Sequence, residues 1–248
     1  MPKLMSSKAY EEDIIILRVS NWQTADKYAV CFSRGHGKIA FIAYGAAYPR
    51  NNSGRLVQPF AQLAATFTPG RKVETLKSCE SLVRPKDLDI EALAYSAVIA
   101  EVTDSLTTEG ESDPYIYALL LEAMALLQVK NKRLVTVSTL LKLLSAAGFA
   151  PCLDVCTSCG IKADADGFFS LVQGGFLCSK CAQGDELPLS LATKELMLNL
   201  QQLDFTQPPS FTVKGSNLME LEQILYKFIL YQTDRPLKSL NFLAQLGR

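Results

Sequence analysis

The chain has 248 residues, of which 48% are hydrophobic and 20% charged. That is apolar mass enough for a sizeable core, too little charge for global disorder, and no run approaches the ~18 apolar residues of a membrane span. The net charge of zero is unevenly placed: residues 1–80 carry 11 Lys and Arg against 6 Asp and Glu, a net of +5, and residues 81–248 carry 14 against 19. Such a split suggests an N-terminal module with an anionic partner.

The N-terminus, MPKLMSSKAYEED, has no apolar signal-peptide core, so a cytoplasmic protein is expected. Asp13–Val19, Tyr28–Ser33 and Lys38–Tyr44 are short runs rich in Ile, Val, Phe and Tyr, the composition of strands. Ser33-Arg34-Gly35-His36-Gly37-Lys38 reads as a tight hairpin between two of them. Residues 45–58 are rich in Gly, Pro, Asn and Ser and read as a loop. Leu56–Phe67 and Lys72–Leu76 add further strand candidates. Five short strands in about 80 residues favour a small barrel, because one sheet this small must close to bury its edges.

The pattern changes after Pro85. Tyr95, Ile99, Val102 and Leu106 recur at helical spacing, and Asp113-Pro114 opens a second helix with Ile116, Leu119, Leu120, Ala123 and Leu127 on one face. Leu134, Val137, Leu141 and Leu144 form a third stripe, stopped at Gly148. After a cysteine-rich stretch, Leu196, Leu200 and Leu203 suggest a short helix. Asn217-x-x-Glu220 resembles a capping box before Leu221, Ile224, Leu225 and Phe228. The expected architecture is α+β and multidomain: a β-barrel over 1–80, then a helical domain over 81–248 with a cysteine module inserted at about 150–187.

Cys156-x2-Cys159 and Cys178-x2-Cys181 are separated by 18 residues. Each C-x2-C turn lets two thiolates converge on one ion, and two such turns supply the tetrahedron that Zn²⁺ takes. A redox dithiol and an iron–sulfur cluster compete. However, a redox C-x-x-C usually stands alone at a helix start, and paired knuckles are commoner for zinc. Four thiolates leave no open coordination position, so the expected ion is one structural Zn²⁺. Cys152 reads as a spare buried thiol, and Cys31 and Cys79 as core residues.

No catalytic set emerges. His36 is the single histidine, no phosphate-binding loop or dinucleotide fingerprint is present, and the carboxylates are scattered. A binding protein is expected, not an enzyme. Arg34, His36 and Lys38 on the hairpin, Arg50 and Arg55 in the loop, and Arg71 and Lys72 after Pro69-Gly70 are candidate phosphate contacts. Phe32, Phe41 and Tyr44 interleave with them. The plain alternative is a solvated loop surface over a barrel core that needs large rings.

The order of motifs along almost the whole chain resembles the bacterial RecO family of recombination mediators. The matching segments are Ser33–Ile39, Tyr44-Gly45-Ala46, Leu56–Phe60, Gly70-Arg71, Glu74-Thr75-Leu76, Gly148–Pro151 with Leu153-Asp154, Phe169-Ser170, Gly174-Gly175, both cysteine pairs and Arg235–Ser239. The resemblance implies an N-terminal OB-fold, a helical domain, and a zinc module in members that keep the cysteines. It implies binding of single- and double-stranded DNA, annealing of complementary strands, and help in loading a recombinase onto strands coated by single-strand-binding protein. The implied partners are RecR and the acidic C-terminal tail of single-strand-binding protein, in a nucleoid-associated setting and with no membrane. Lys130, Lys132 and Arg133, between two helices, are the candidate rim for that tail, against the simpler reading of a solvated turn. One departure is visible. Where the family carries a denser basic run, Ala46–Asn52 holds a single cation, Arg50, which leaves part of the DNA affinity to a partner such as RecR. A zinc-stabilised adaptor without DNA contact is the alternative.

Overall fold

The computed structural model describes residues 8–83, 89–207 and 209–246. The change of pattern expected at Pro85 lies outside them, as does most of the N-terminal stretch that lacks a signal-peptide core.

Five strands, β1 (Tyr10–Trp22), β2 (Asp26–Ser33), β3 (Gly37–Ala43), β4 (Gln62–Thr68) and β5 (Glu74–Ser81), close a barrel in the order β1-β2-β3-β5-β4. All neighbours are antiparallel except β3 and β5, which run parallel at Phe41–Glu74 and Ile42–Thr75. This is the five-stranded barrel of an OB-fold, as expected. The apolar run in β1 does not alternate because both of its faces are covered. Ile14 and Ile16 point into the barrel with Phe41, Leu63 and Phe67, while Ile15 and Leu17 join Val30, Phe32 and Ala40 beneath the helices. Leu56, expected to open a strand, instead closes a five-residue helix, α1 (Asn52–Leu56), capped by Asn51, and the strand of that run starts only at Gln62. Asn51 Oδ1 accepts the Gly54 N–H at 2.9 Å, a local bond that competes with extended backbone.

The helical body comprises α2 (Ile90–Leu106), α3 (Pro114–Leu126), α4 (Lys132–Ala146), α5 (Leu191–Gln201), α6 (Gly215–Thr233) and α7 (Lys238–Leu246). Asp89, Asp113, Asn131 and Ser190 cap four of them through side-chain oxygens, and Pro114 opens α3 as expected. The capping box at Asn217 does not form: α6 starts at Gly215 without a side-chain cap. Glu220 turns to the start of α5 instead, accepting from Ser190 N at 2.7 Å, Ser190 Oγ at 2.9 Å and Thr193 Oγ1 at 2.8 Å. The C-terminal helix is tied to α2 by Glu101, whose carboxylate accepts the N–H groups of Lys238 and Ser239 at 3.0 and 2.8 Å. No described helix is long and apolar enough to cross a membrane.

Between α4 and α5 lies a three-stranded sheet of β6 (Gly167–Ser170), β7 (Gly175–Leu177) and β8 (Leu187–Leu189), in the order β7-β6-β8. Its Phe169 meets Phe228 of α6 edge-on at 5.3 Å, so the module shares the core of the helical body.

Candidate metal centre and nucleic-acid interface

The two cysteine pairs converge beside the β6–β7 hairpin. Each knuckle is closed by its own backbone: Gly160 N donates to Cys156 O at 2.9 Å, and Cys181 N to Cys178 O at 3.0 Å. Gly160 has φ of +74°, a conformation glycine adopts without steric cost. The four Sγ atoms lie within 4.8 Å of one another, and Cys159 and Cys178 are 3.8 Å apart. A tetrahedron with metal–sulfur bonds of ~2.3 Å has edges of about 3.8 Å, so the set fits one ion. Burial opposes ionisation of Cys156, but N–H donors from Cys178, Cys159 and Ser158 outweigh it and pull the thiol down to about 6. A sulfur that accepts backbone N–H bonds is prepared to be a thiolate ligand.

The remaining cysteines divide. Cys31 and Cys79 are buried in the barrel, and desolvation pushes both thiols up. Cys152, expected to be buried, is exposed. Its backbone pairs with Gly174 and Phe176, which turns the side chain outward.

The seven residues expected at DNA do not form one patch. The β2–β3 hairpin is ringed by carboxylates. His36 Nδ1 lies 2.6 Å from Glu12 Oε1 and its ring stacks near Tyr10 at 4.8 Å. Glu12 also accepts the Gly35 N–H at 3.0 Å. Lys38 donates to the Asp104 carbonyl at 2.6 Å and lies 3.3 Å from its carboxylate. Arg34 is exposed on a cleft of about 800 Å³ that it shares with Glu11, Glu12, Asp13 and Glu80. Lys72 is exposed on a smaller cleft, about 270 Å³, with His36, Lys38, Glu74 and Glu109, and Arg71 precedes it on the surface.

Arg50 and Arg55 lie beyond the other end of β3, a seven-residue strand spanning roughly 20 Å. Both are exposed, and Arg55 donates to Pro49 O at 3.1 and 2.8 Å, contacts that orient the guanidinium without neutralising it. Among the described residues Arg34, Arg50, Arg55, Arg71 and Lys72 form no ion pair. On the aromatic side, Phe32 and Phe41 are fully buried and Tyr44 is exposed. Sequence reasoning missed Trp22 and Tyr48, which are also exposed. A tryptophan at a strand end and a tyrosine in a polar loop, both beside Tyr44 in the barrel's connectivity, were the available signal.

In the helical body, Lys132 pairs with Asp89 at 3.2 Å and Glu91 at 3.4 Å. Arg133 grips Glu222 with two hydrogen bonds, Nε at 2.6 Å and Nη2 at 2.5 Å. Lys130, on the same turn between α3 and α4, is exposed.

Comparison with known proteins covers both halves. The family model described as Recombination protein O N terminal matches residues 5–83, and that described as Recombination protein O C terminal matches residues 87–241. The chain is 34% identical over 246 residues to a DNA repair protein RecO of Symbiobacterium thermophilum, covering 96% of this chain and 97% of the relative. It is 28% identical to that of Pelotomaculum thermopropionicum, with 97% and 96% covered, and 27% identical to that of Bacillus subtilis, with 94% and 92% covered.

Proposed function

The chain belongs to the RecO family, whose relatives are DNA repair proteins, and from that premise we propose that it is a recombination mediator that binds single- and double-stranded DNA, anneals complementary strands and helps load a recombinase onto strands coated by single-strand-binding protein. The observation that carries the reading is the set of five cations on the barrel, Arg34, Arg50, Arg55, Arg71 and Lys72, that no carboxylate pairs among the described residues. His36 and Lys38 are committed to Glu12 and Asp104, so they shape the hairpin and add little to phosphate binding.

Annealing by such a surface needs no turnover, and the protein acts without being an enzyme. Cations lower the repulsion between two phosphate backbones, and weak contacts let strands search for register. We assign zinc to the four cysteines: an all-thiolate set with no open position suits one structural Zn²⁺, which would fix the two knuckles against the helical body. RecR and the acidic tail of single-strand-binding protein are the proposed partners. At the α3–α4 turn Lys130 is the cation without an ion pair among the described residues, so an acidic tail binding there would begin at Lys130 and compete with Glu222 for Arg133.

The carboxylates around the hairpin favour a second reading, a zinc-stabilised adaptor that leaves DNA to a partner. The test is annealing of two complementary oligonucleotides, bare and coated with single-strand-binding protein, together with single-strand affinity across a salt series. Each phosphate contact adds a slope of about −0.7 on single strands, so five predict a slope near −3.5. A slope near zero with no acceleration in either form would leave the adaptor as the better account.

A further inference from the structure

We propose that the barrel end carrying Trp22, Tyr44 and Tyr48 is a stacking platform for unpaired bases, with Arg50 and Arg55 holding the adjoining phosphates. The proposal rests on the DNA-binding reading above and names the part of the surface that selects single strands.

The register places the rings. Trp22 of β1 stands opposite Asp26 of β2, and Tyr28 stands opposite Ile42 of β3. Directly opposed residues share a face, and so do residues two apart on one strand. Trp22 and Tyr28 therefore lie on one outer face of β1 and β2, with their rings 5.9 Å apart, and Tyr44 follows the end of β3 at the same end of the barrel. The other half of this face, Val30, Phe32 and Ala40, is sealed beneath the helices. The bare half leaves Trp22 45% exposed, Tyr44 59% and Tyr48 62%. Large rings are the side chains a fold gains most by burying, so three left out on one barrel end ask for a ligand with flat apolar faces.

The ground beneath them is built. Gly45 N donates to Asp26 Oδ1 at 2.8 Å and Ala47 N to Ala25 O at 2.9 Å, which pins the loop to the β1–β2 turn. Asn51 Nδ2 donates to Tyr44 O at 3.3 Å, and Asn51 N to Tyr48 O at 3.0 Å. Lys27 Nζ donates to Gly54 O at 2.7 Å and Val57 O at 3.0 Å, fixing the short helix behind the loop. The loop is thus ordered before a ligand arrives, and little entropy is lost on binding. Gly45 lies directly under Tyr48: a Cβ there would meet the ring at 3.5 Å.

Charge chooses the occupant. Among the described residues Arg50 and Arg55 carry no ion pair, and Asp26, the carboxylate at this end, is held toward the loop backbone by the Gly45 N–H. Rings beside unpaired guanidinium groups fit a polyanion with exposed bases. In a duplex the base faces are stacked on one another, so the platform discriminates against double strands.

Trp22 is the sole tryptophan, and its emission reports this site in the full-length protein. Titration with oligothymidylate should quench that emission saturably, while a duplex of the same length should bind with little quenching. Tyr44→Ala and Tyr48→Ala should each weaken single-strand affinity roughly tenfold and duplex affinity less than twofold, and Tyr44→Phe should retain wild-type binding. Binding seen by fluorescence anisotropy of a labelled strand, with no change in Trp22 emission and no effect of either alanine variant, would overturn the platform while leaving DNA binding by the barrel intact. No binding in the anisotropy measurement would overturn both.

Discussion

Lys38 and Asp104 join the barrel to the helical body: the ammonium donates to the Asp104 carbonyl at 2.6 Å and lies 3.3 Å from its carboxylate. The same carboxylate accepts from Arg18 Nε at 2.8 Å. A hairpin lysine that looks like a phosphate contact in the sequence is thereby a structural tie between β3 and α2, with its side chain 12% exposed.

Lys38→Met tests this division of labour. The variant leaves the Asp104 carbonyl without its charged donor and should cost about 1–2 kcal/mol of stability, a drop of several degrees in Tm for a chain of this size. The salt slope of single-strand binding should stay at the wild-type value. Arg50→Ala should do the reverse, leaving Tm unchanged and reducing the slope by about 0.7. A reduced slope in Lys38→Met would return Lys38 to the phosphate surface.

What the sequence showed and what it concealed follow one physical rule. Features set by near neighbours were legible: the β-rich runs of the first three strands, the Asp113-Pro114 helix start, the stop at Gly148 and the two knuckles. Features set by residues far along the chain were not. Lys38 and Asp104 are 66 positions apart and Arg133 and Glu222 are 89 apart, so their pairing required the fold. Glu220 was misread for the same reason, since its partner is Ser190 and not the start of its own helix. The amphipathic C-terminal helix went unseen because its cap, Glu101, is supplied by α2. At the barrel end, local pattern marks Trp22 at a strand end and Tyr48 in a polar loop, but their exposure depends on which half of the sheet the helices cover.

Gly37 of the barrel packs against the backbone of Glu111 in the helical part. Its φ is +66°, and a Cβ there would sit 1.8 Å from the carbonyl oxygen of Glu111. Gly37→Ala combines the cost of a left-handed alanine with a forced backbone shift, and should destabilise by at least ~2 kcal/mol. Gly148→Ala is the control: φ is +83° but nothing lies within 4 Å, so its cost should stay near ~1 kcal/mol. Equal drops in Tm for the two variants would show that the contact with Glu111 adds nothing.

Glu74 gives the barrel a pH dependence. Its carboxyl is raised above the usual range by burial, against the pull of the Gly70 backbone and of His36, and Oε2 has no hydrogen-bond partner among the described residues. The unfolded carboxyl ionises near 4.5, before the folded one. The contribution of Glu74 to stability is therefore present below pH 4.5 and is lost as pH rises through the folded value. Glu74→Gln removes this loss. The Tm of the variant should gain on wild type as pH rises from below 4.5 to neutrality, measured by thermal scans at matched ionic strength. A constant difference across that range would remove Glu74 as its source.

The cysteine site should hold more than its own loop. Leu153, Ala163, Phe169, Phe176 and Leu177 of the module lie in the same buried cluster as Leu144, Leu225 and Phe228 of the helical body. The buried Lys194 of α5 donates its ammonium to the Ala163 carbonyl, which adds a polar tie. With one Zn²⁺ bound as proposed, its release would free both knuckles, leave the thiolates to repel one another and uncover this shared surface. Cys159→Ser or Cys181→Ser should reduce zinc measured by atomic emission from about one ion per chain to near none, with all-thiolate centres as the reference. Zinc centres of this kind supply ~10 kcal/mol or more to small domains. If ~4 kcal/mol of that reaches the helical body, its far-UV circular dichroism transition should fall by about 10 °C, at 2–4 °C per kcal/mol. A transition that stays in place after the metal is lost would confine the site to residues 150–187 and make the shared core passive.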